Sequence, residues 1–449
     1  NMRTIAVNPK NGRFSSKQVS HLWRWDVPAD QQYEVKCRGG IEVTTSAWHP
    51  FLVFDENGIA ERRADKLKPG DLLIAPNRSI WDCWPFTDYQ KTDKLVLDER
   101  MAWLIGYFLG DGSLGWFYNR TNDYTALRLR FLDERPNSIK FAARVLAGYG
   151  VKVSPHFDGR KLWQLTTADQ AFVQAFMELA ELRVGSKENL VLPEHIAKSP
   201  LLVIGACLGG LIDSDGRVSV NRRRVEFTTV CEGFAKPLVS LLSALGLNPS
   251  IRAKPPGRKG RLPEYRILMA DAKRAPELVD LVFEWVHDPL KKERLSRLKE
   301  RCDHNGRNRI PLPFAALEPL LKAAGVRTNA AAIHKGSVVV GDERFRLHRV
   351  KRGNGIGEDK LRRLVWALRR ILPSSYRDKL EQLENLADGW TIVESVRANK
   401  QAEPFYDFTV SDYNHYVAGG GSGKLTVVHN TGFSFSRLRP KGDIVRSTK

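Results

Sequence analysis

Two aspartates, Asp111 and Asp215, occupy matching places in the chain, each at the end of an apolar stretch and each followed by glycine. The stretches are residues 104–112 (LIGYFLGDG) and residues 208–216 (LGGLIDSDG). Closely spaced glycines in both stretches would let two helix backbones approach each other closely. The glycines concerned are Gly106, Gly110, Gly209 and Gly210.

Helices packed in this way would hold the two carboxylates together. Paired carboxylates at the end of an apolar helix pair are costly unless a cation binds between them, and hard oxygen ligands favour Mg²⁺. The pattern therefore predicts a paired metal site suited to phosphodiester cleavage. A single apolar helix that ends in Asp-Gly is usually a core helix, so the prediction depends on the repeat.

The segments that follow the two aspartates also match. Residues 129–153 and residues 225–251 both run strand, polar turn, amphipathic helix, glycine, strand. A further alternating strand ends at residues 165–169 in one half and at residues 268–271 in the other. This repeat predicts two copies of one α/β unit in a pseudo-twofold arrangement, which suits duplex DNA.

The repeat and its two motifs resemble the LAGLIDADG homing endonucleases. The resemblance implies a monomer in which residues 98–192 and 193–303 form αββαββα repeats and cleave a long, asymmetric double-stranded DNA target with Mg²⁺. The metal-site residues that it implies are Asp111, Asp215, Gly110 and Ser214, with the two aspartates catalytic. Lys187, Lys254 and Lys259 are candidates for an amine that assists the nucleophilic water, or are phosphate contacts or surface lysines.

Charge points to the same partner. The chain has 71 Lys and Arg against 51 Asp and Glu, which gives a formal charge of +20 and favours nucleic acid. The longest apolar run, residues 201–212, is too short to span a bilayer, and no secretory signal opens the chain. A basic cluster can be an ordinary solvated face, but on a duplicated endonuclease it predicts DNA contacts. The candidates are Arg217, Arg222, Arg223, Arg224, Lys254, Arg258 and Lys259.

The cysteines indicate a reducing compartment. The chain has five cysteines, and they show neither close pairs nor metal-ligand spacing. We therefore expect a cytoplasmic protein without disulfides.

A second set of reactive side chains lies in the flanks of the repeat. Downstream, residues 405–410 (FYDFTV), His415 and residues 427–431 (VVHNT) follow one another; upstream, residues 40–54 read GIEVTTSAWHPFLVF. These flanks resemble the splicing blocks of inteins, which implies a β-rich horseshoe (Hedgehog/intein, or Hint) fold whose cleft holds both splice junctions. The domain would be formed by residues 1–97 and 387–430 and interrupted by the endonuclease.

The resemblance assigns roles residue by residue. His49 matches the histidine that polarises the upstream scissile peptide, and Ser46 stands where Thr is usual, with Thr45 beside it. Asp407 and His415 match the aspartate and histidine of the penultimate block. His429 and Asn430 would be the last two intein residues and Thr431 the first host residue.

The residue types fit that chemistry. The side-chain amide of Asn430 can attack its own main-chain carbonyl, close a succinimide and break the bond to Thr431. A poor nucleophile needs acid–base help, here from His429 and His415, which is worth about 10² to 10⁴ in rate. The Thr431 hydroxyl would capture the upstream acyl group, a transfer that Asp407 would tune.

One expected residue is absent from the sequence. Inteins begin with Cys or Ser, whereas this chain begins Asn1-Met2-Arg3, and Cys37 lies too close to His49 to replace the initiating residue. Either the chain is part of a longer precursor, which we favour, or it is the large part of a split intein. The missing upstream segment would then be a partner in cis or in trans. Alone, the chain is expected to cleave at Asn430 but not to ligate.

Residues 431–449 (TGFSFSRLRPKGDIVRSTK) indicate the host. They are similar to a segment of ribonucleotide reductase large chains, particularly the adenosylcobalamin-dependent class; a loop of another phosphate-binding enzyme is the alternative. Residues 304–386 are expected to form either an accessory module that touches DNA or an inert connector.

Three functions compete at this stage. The leading one is a bifunctional intein that splices itself and cleaves DNA. A free-standing homing endonuclease or maturase would explain residues 98–303 but not the flanks. A DNA-binding protein with a degenerate endonuclease fold is the third, and the intact Asp111 and Asp215 argue against it.

Overall fold

A computed structural model describes residues 3–449 except 77, 84–88, 120–122, 160, 186–188, 257–261, 302–308, 330–336, 399–403, 411, 420–421, 423, 430–442 and 446–449. The chain forms two compact units. The first comprises Asn1–Trp84, Ser243–Gly246 and Asn305–Lys449, and the second comprises Pro85–Leu242 and Leu247–His304. The helices in the described ranges are all too short or too polar to cross a membrane.

The upstream part of the chain forms strands only, apart from short 3₁₀ turns. They are β1 (Arg3–Val7), β2 (Phe14–Asp26), β3 (Gln32–Cys37), β4 (Ile41–Ser46), β5 (Pro50–Asp55), β6 (Gly58–Arg63) and β7 (Leu72–Ile74). Alternation of buried and partly exposed residues, as in β3, fits strands with one face on a core.

The middle of the chain contains two halves with the same order of elements. The helices are α1 (Glu99–Asp111), α2 (Pro136–Gly148), α3 (Gln170–Leu179), α4 (Glu194–Lys198), α5 (Leu201–Asp213), α6 (Glu232–Ala244), α7 (Ala275–Val282) and α8 (Pro289–Arg301). The strands are β8 (Gly112–Asn119), β9 (Tyr124–Asp133), β10 (His156–Phe157), β11 (Trp163–Thr167), β12 (Arg217–Ser219), β13 (Arg224–Thr229), β14 (Ser250–Lys254) and β15 (Glu264–Ala270).

In each half a long helix leads into two strands, a helix, two strands and a helix. The sheets have equivalent strand orders, β10-β11-β9-β8 and β14-β15-β13-β12. Helices α1 and α5 pack closely along each other. A Cβ on Gly106 would lie 2.0 Å from the Cys207 carbonyl oxygen, and one on Gly210 would lie 2.1 Å from the Trp103 carbonyl oxygen. Gly209 faces Trp285 and not α1. Of the two α5 glycines that were expected at the helix contact, Gly210 therefore approaches α1 and Gly209 does not.

The downstream part returns to the first unit. Its elements are β16 (Arg309–Ile310), α9 (Phe314–Ala323), β17 (Val338–Val340), β18 (Glu343–Phe345), α10 (His348–Lys351), β19 (Ile356–Gly357), α11 (Glu358–Arg369), α12 (Arg377–Asp388), β20 (Trp390–Ala398), β21 (Pro404–Val410), β22 (His415–Gly419), β23 (Leu425–His429) and β24 (Asp443–Val445).

Upstream and downstream strands interleave in two sheets. Over the described residues, one has the order β21-β2-β1-β22-β23 with β24 on β2, and the other has the order β4-β3-β20-β7-β5-β6. One core joins Leu52 and Val427 of the sheets to Leu317 and Leu364 of α9 and α11. The region 304–386, expected to be an accessory module or a connector, therefore shares its core with strands of both sheets.

Candidate functional site

Two histidines face each other at the open end of a strand pair. His415 is the first residue of β22 and His429 the last of β23, and they are directly opposite in the antiparallel register. Side chains of opposite residues lie on the same face. Their ring centroids are accordingly 4.7 Å apart, with an interplanar angle of 80°.

His49 joins this pair from the upstream part of the chain. It lies in the turn before β5, and its Nε2 accepts a hydrogen bond of 3.0 Å from the main-chain N–H of His429. An accepting Nε2 carries no proton, so the neutral ring is protonated at Nδ1. The main-chain oxygen of Ser46 accepts from the N–H of His49 at 3.1 Å, and Ser46 and Thr45 are both buried.

Burial makes all three histidines weak bases. It lowers the pKa of His49 to about 3, with a further contribution from His429, and the pKa of His429 to about 4. It lowers the pKa of His415 to about 2, assisted by both other histidines. All three rings are therefore neutral at pH 7 and able to accept a proton. Neither ring nitrogen of His415 has a hydrogen-bond partner among the described residues.

Asp407 contacts a tyrosine on β22 and none of the three histidines among the described contacts, since neighbouring side chains of a strand point to opposite faces. Its Oδ1 accepts hydrogen bonds from the Tyr416 hydroxyl at 2.7 Å and from the Phe408 N–H at 2.8 Å. Tyr416 follows His415 on β22 and is buried, which together with Asp407 raises the pKa of the tyrosine. Asn430, Thr431 and the host segment 431–442 lie outside the described residues.

The histidine pair and a glutamate could hold a metal ion. One ligand atom each from Glu61, His415 and His429 lies within 4.8 Å of the others, which no other group of three such residues achieves in the described chain. Two imidazole nitrogens and a carboxylate suit Zn²⁺. Glu61 was missed from the sequence because it lies on β6, far along the chain from both histidines.

In the second unit the two motif aspartates lie on adjoining backbones. Asp111 is the last residue of α1, and Asp215 lies two residues beyond the end of α5. A Cβ on Gly110 would lie 2.0 Å from the Ser214 hydroxyl and 3.2 Å from the Asp215 nitrogen. Asp111 is half-buried and Asp215 exposed, so both can reach a ligand from solvent.

A buried aspartate next to this site was not predicted from the sequence. Asp213 is 1% exposed and accepts hydrogen bonds from Trp103 Nε1 and from the main-chain N–H groups of His287 and Asp288. Burial raises its pKa to about 7, against the effect of these hydrogen bonds. Its place inside the apolar motif, at LID, was the signal that could have identified it.

The two sheets carry basic residues on their helix-free faces. Arg217 and Arg224 lie on β12 and β13, Arg222 and Arg223 in the turn between them, and Lys254 at the end of β14. Arg258, Lys259 and Lys187 lie outside the described residues. The register adds four further cations to these faces, since opposite residues share a face. They are Arg128, Arg130, Arg252 and Arg266.

Comparison with known proteins covers both parts of the chain. The intein splicing domain family matches residues 1–430. The helicase Hel308 of Methanocaldococcus jannaschii is 26% identical over 53% of this chain and 19% of its own length. Elongation factor 2 of Methanopyrus kandleri is 22% identical over 95% of this chain and 38% of its own length. The chain thus spans well under half the length of these relatives.

Two solved structures are also similar. A complex of I-DmoI with DNA and Mn has 17% identity and a TM-score of 0.34, covering 41% of this chain and 97% of that one. The PabCDC21-1 intein has 23% identity and a TM-score of 0.16, covering 16% and 44%. The family match by itself covers nearly the whole sequence and contains His49, Asp407, His415 and His429; this chain belongs to the intein splicing domain family.

Proposed function

We propose that the first unit breaks the peptide bond after Asn430 by asparagine cyclisation. The convergence of His49, His415 and His429 carries this proposal, because it brings neutral bases from both flanks to the end of β23, one residue before Asn430. The family match ends at residue 430, which agrees with Asn430 as the last intein residue.

In this reaction the Asn430 amide nitrogen attacks the Asn430 carbonyl carbon. A ring C–N bond forms, the C–N bond to Thr431 breaks, the attacking amide loses a proton and the departing amine gains one. His415, whose ring nitrogens make no hydrogen bond among the described residues, would accept the first proton as a weak base. The released N-terminal residue would be Thr431, whose hydroxyl serves acyl transfer in complete splicing.

Mass spectrometry of the purified chain tests this step. We expect slow release of a peptide comprising residues 431–449, abolished by Asn430→Ala. Asn57→Ala, which removes an exposed asparagine from the turn between β5 and β6, should leave the release unchanged. Release from the Asn430→Ala variant would refute the assignment.

We further propose that the second unit cleaves double-stranded DNA with Mg²⁺, using Asp111 and Asp215. The close approach of the two motif ends carries this proposal. A Cβ on Gly110 would overlap the Ser214 hydroxyl, whereas an ordinary helix pair that ends in solvent needs no such approach. Two basic sheet faces supply phosphate and base contacts. The target would be the uninterrupted junction in a ribonucleotide reductase gene, as residues 431–449 indicate.

Incubation with Mg²⁺ and DNA that carries this junction is the test. Wild-type protein should introduce a double-strand break, Asp215→Asn should abolish it, and Asp93→Asn, at an exposed position outside the motifs, should not. DNA binding without any cleavage by the wild type would favour the third function, a degenerate endonuclease that binds DNA.

The relatives support an insertion element. Their names include a helicase, a replication factor, an ATP synthase subunit and an elongation factor, which share no single activity. A segment that recurs in proteins of unrelated activity is expected to have its own function rather than that of its host. The neutral histidine cluster also disfavours a free-standing endonuclease or maturase, which has no use for it.

The α-helical part of the first unit adds a basic surface. Arg346 and Arg349 are exposed, and their charge, with that of Arg309 and with burial, lowers the pKa of Lys360. We infer that this surface contacts DNA phosphates rather than serving as an inert connector. Replacing Arg346 and Arg349 by Ala should weaken DNA binding, and unchanged affinity at low salt would support the connector.

A further inference from the structure

Lys291 lies at the start of α8 and caps the end of α5, the helix that leads to Asp215. Its Nζ donates hydrogen bonds to the carbonyl oxygens of Ile212 (2.8 Å), Asp213 (2.7 Å) and Ser214 (2.7 Å). Carbonyl groups in the last turn of a helix lack partners within the helix. One ammonium group with three protons satisfies two of these carbonyls, those of Ile212 and Asp213, and also the Ser214 carbonyl just beyond the helix. It also compensates the negative end of the helix dipole.

Asp215 needs such support more than Asp111 does. Helix α1 continues to Asp111 itself, so the helix fixes that backbone. Helix α5 ends at Asp213, and the peptide between Ser214 and Asp215 lies outside it. The Ser214 carbonyl belongs to that peptide, and its hydrogen bond to Lys291 restricts the rotation of the peptide.

The lysine is itself held firmly. The Asp288 carboxylate accepts from the N–H groups of Leu290 and Lys291 at the start of α8 and pairs with Arg135 of the first half. The Asp288 N–H in turn donates to Asp213 at 2.9 Å. The turn before α8 is therefore attached to the end of α5 and to the other half of the unit.

We propose that Lys291 is a positioning residue for the metal site: it fixes the Ser214–Asp215 peptide so that the Asp215 carboxylate meets that of Asp111. Ser214 was expected at the metal site, and its carbonyl oxygen accepts a hydrogen bond from Lys291. The proposal rests on the nuclease function proposed above.

Lys291→Met tests the proposal, because methionine keeps the length of the side chain but cannot donate to the three carbonyls. Lys292→Met is the matched control, since Lys292 lies next to it on α8 over the Phe283 ring. Mn²⁺ binding by electron paramagnetic resonance, the Mg²⁺ dependence of DNA cleavage and DNA affinity in EDTA are measured for each variant, with Asp215→Asn as the reference for a lost site.

We expect Lys291→Met to weaken Mn²⁺ binding and to raise the half-maximal Mg²⁺ concentration by about tenfold or more, the usual cost of losing an outer support of a metal site. DNA affinity in EDTA should stay within about twofold, and Lys292→Met should match the wild type in all three measurements. A purely structural role would lower the unfolding temperature without a change in metal dependence at temperatures where the protein is folded.

Wild-type metal dependence in Lys291→Met overturns the proposal. If Lys291→Met is unfolded, Lys291→Arg replaces it: the planar guanidinium keeps the charge but cannot direct three donors from one atom, and wild-type Mn²⁺ affinity in that variant overturns the proposal as well. Failure of the nuclease function gives a different result, in which the wild type binds Mn²⁺ no better than Asp215→Asn.

Discussion

The main-chain N–H of His429 donates a 3.0 Å hydrogen bond to Nε2 of His49. This bond links the last residue of β23 to the turn before β5, so the upstream and downstream segments of the first unit meet at one point. It also fixes the tautomer of His49, whose unprotonated nitrogen points at the downstream strand. The histidine that was expected to act at the upstream end is therefore also a structural partner of β23.

His415→Asn should slow the release of residues 431–449. The variant removes a neutral base that lies 4.7 Å from the His429 ring, and such a base is worth about 10² to 10⁴ in rate. Single-turnover release followed by mass spectrometry measures the effect. His21→Asn, at an exposed position, is the matched control, and equal rates for both variants would exclude a role for His415.

Acid should destabilise the first unit below about pH 6.5, the ordinary histidine pKa. The pKa values of His49, His415 and His429 are lowered in the folded state to about 3, 2 and 4. Between these values and 6.5 the unfolded chain binds protons that the folded chain excludes, so the free energy of unfolding falls as the pH falls. Each histidine contributes a slope of about 1.4 kcal/mol per pH unit in that window.

Urea denaturation between pH 8 and pH 5 measures this slope. Above pH 7 both states carry neutral histidines, and the contribution disappears. His415→Asn should reduce the slope whereas His21→Asn should not. Stability that does not change between pH 7 and pH 5 would contradict the assignment of three buried neutral rings.

Zn²⁺ should inhibit the release of residues 431–449, and EDTA should restore it. The ion would engage Glu61, His415 and His429, whose ligand atoms lie within 4.8 Å of one another, and so remove the lone pairs needed for proton transfer. Glu61→Gln should raise the inhibitory Zn²⁺ concentration, and Glu56→Gln, at an exposed position of the preceding turn, should not. Equal inhibition of both variants would place the ion elsewhere.

Gly210→Ala should destabilise the second unit by about 1–3 kcal/mol, as overpacking does. The added methyl would lie 2.1 Å from the Trp103 carbonyl oxygen and force α1 and α5 apart. Gly148→Ala, at the last residue of α2, meets no atom within 4 Å and should be neutral or stabilise by up to about 1 kcal/mol. Urea denaturation compares the two, and a neutral Gly210→Ala would contradict the close helix contact.

Arg266→Ala should weaken DNA binding and reduce its salt dependence by about one unit of slope, as expected for one lost phosphate contact. Arg266 lies opposite Arg252 and Thr228 on the helix-free face of the second sheet. Lys140→Ala changes an exposed lysine of α2, which packs against the other face of the first sheet. If Lys140→Ala has the same effect, the sheet face is not the DNA surface.

Local sequence patterns predicted the elements better than the contacts between them. The strand, helix and strand predicted over residues 225–251 are present as β13, α6 and β14. The alternation LRLRF also predicts that Arg128 and Arg130 share one face of β9, and these two arginines were not among the predicted DNA contacts. Lys291, by contrast, stands in the charged helix PLKKERLSRLKER, where nothing local distinguishes it from Lys292.

Contacts between residues that are far apart in the sequence could not be predicted from local patterns. Glu61 approaches His415 only through sheet order, which depends on the whole fold.

The cross-strand register of β22 and β23 would also set the timing of the proposed cleavage after Asn430. His415 and His429 come face to face only when the hairpin has closed in the observed alignment, and a slip by one residue would turn one ring to the opposite side of the sheet. Under that proposal a nascent or misaligned chain would keep its junction intact, and maturation of a host protein would wait until folding has been completed.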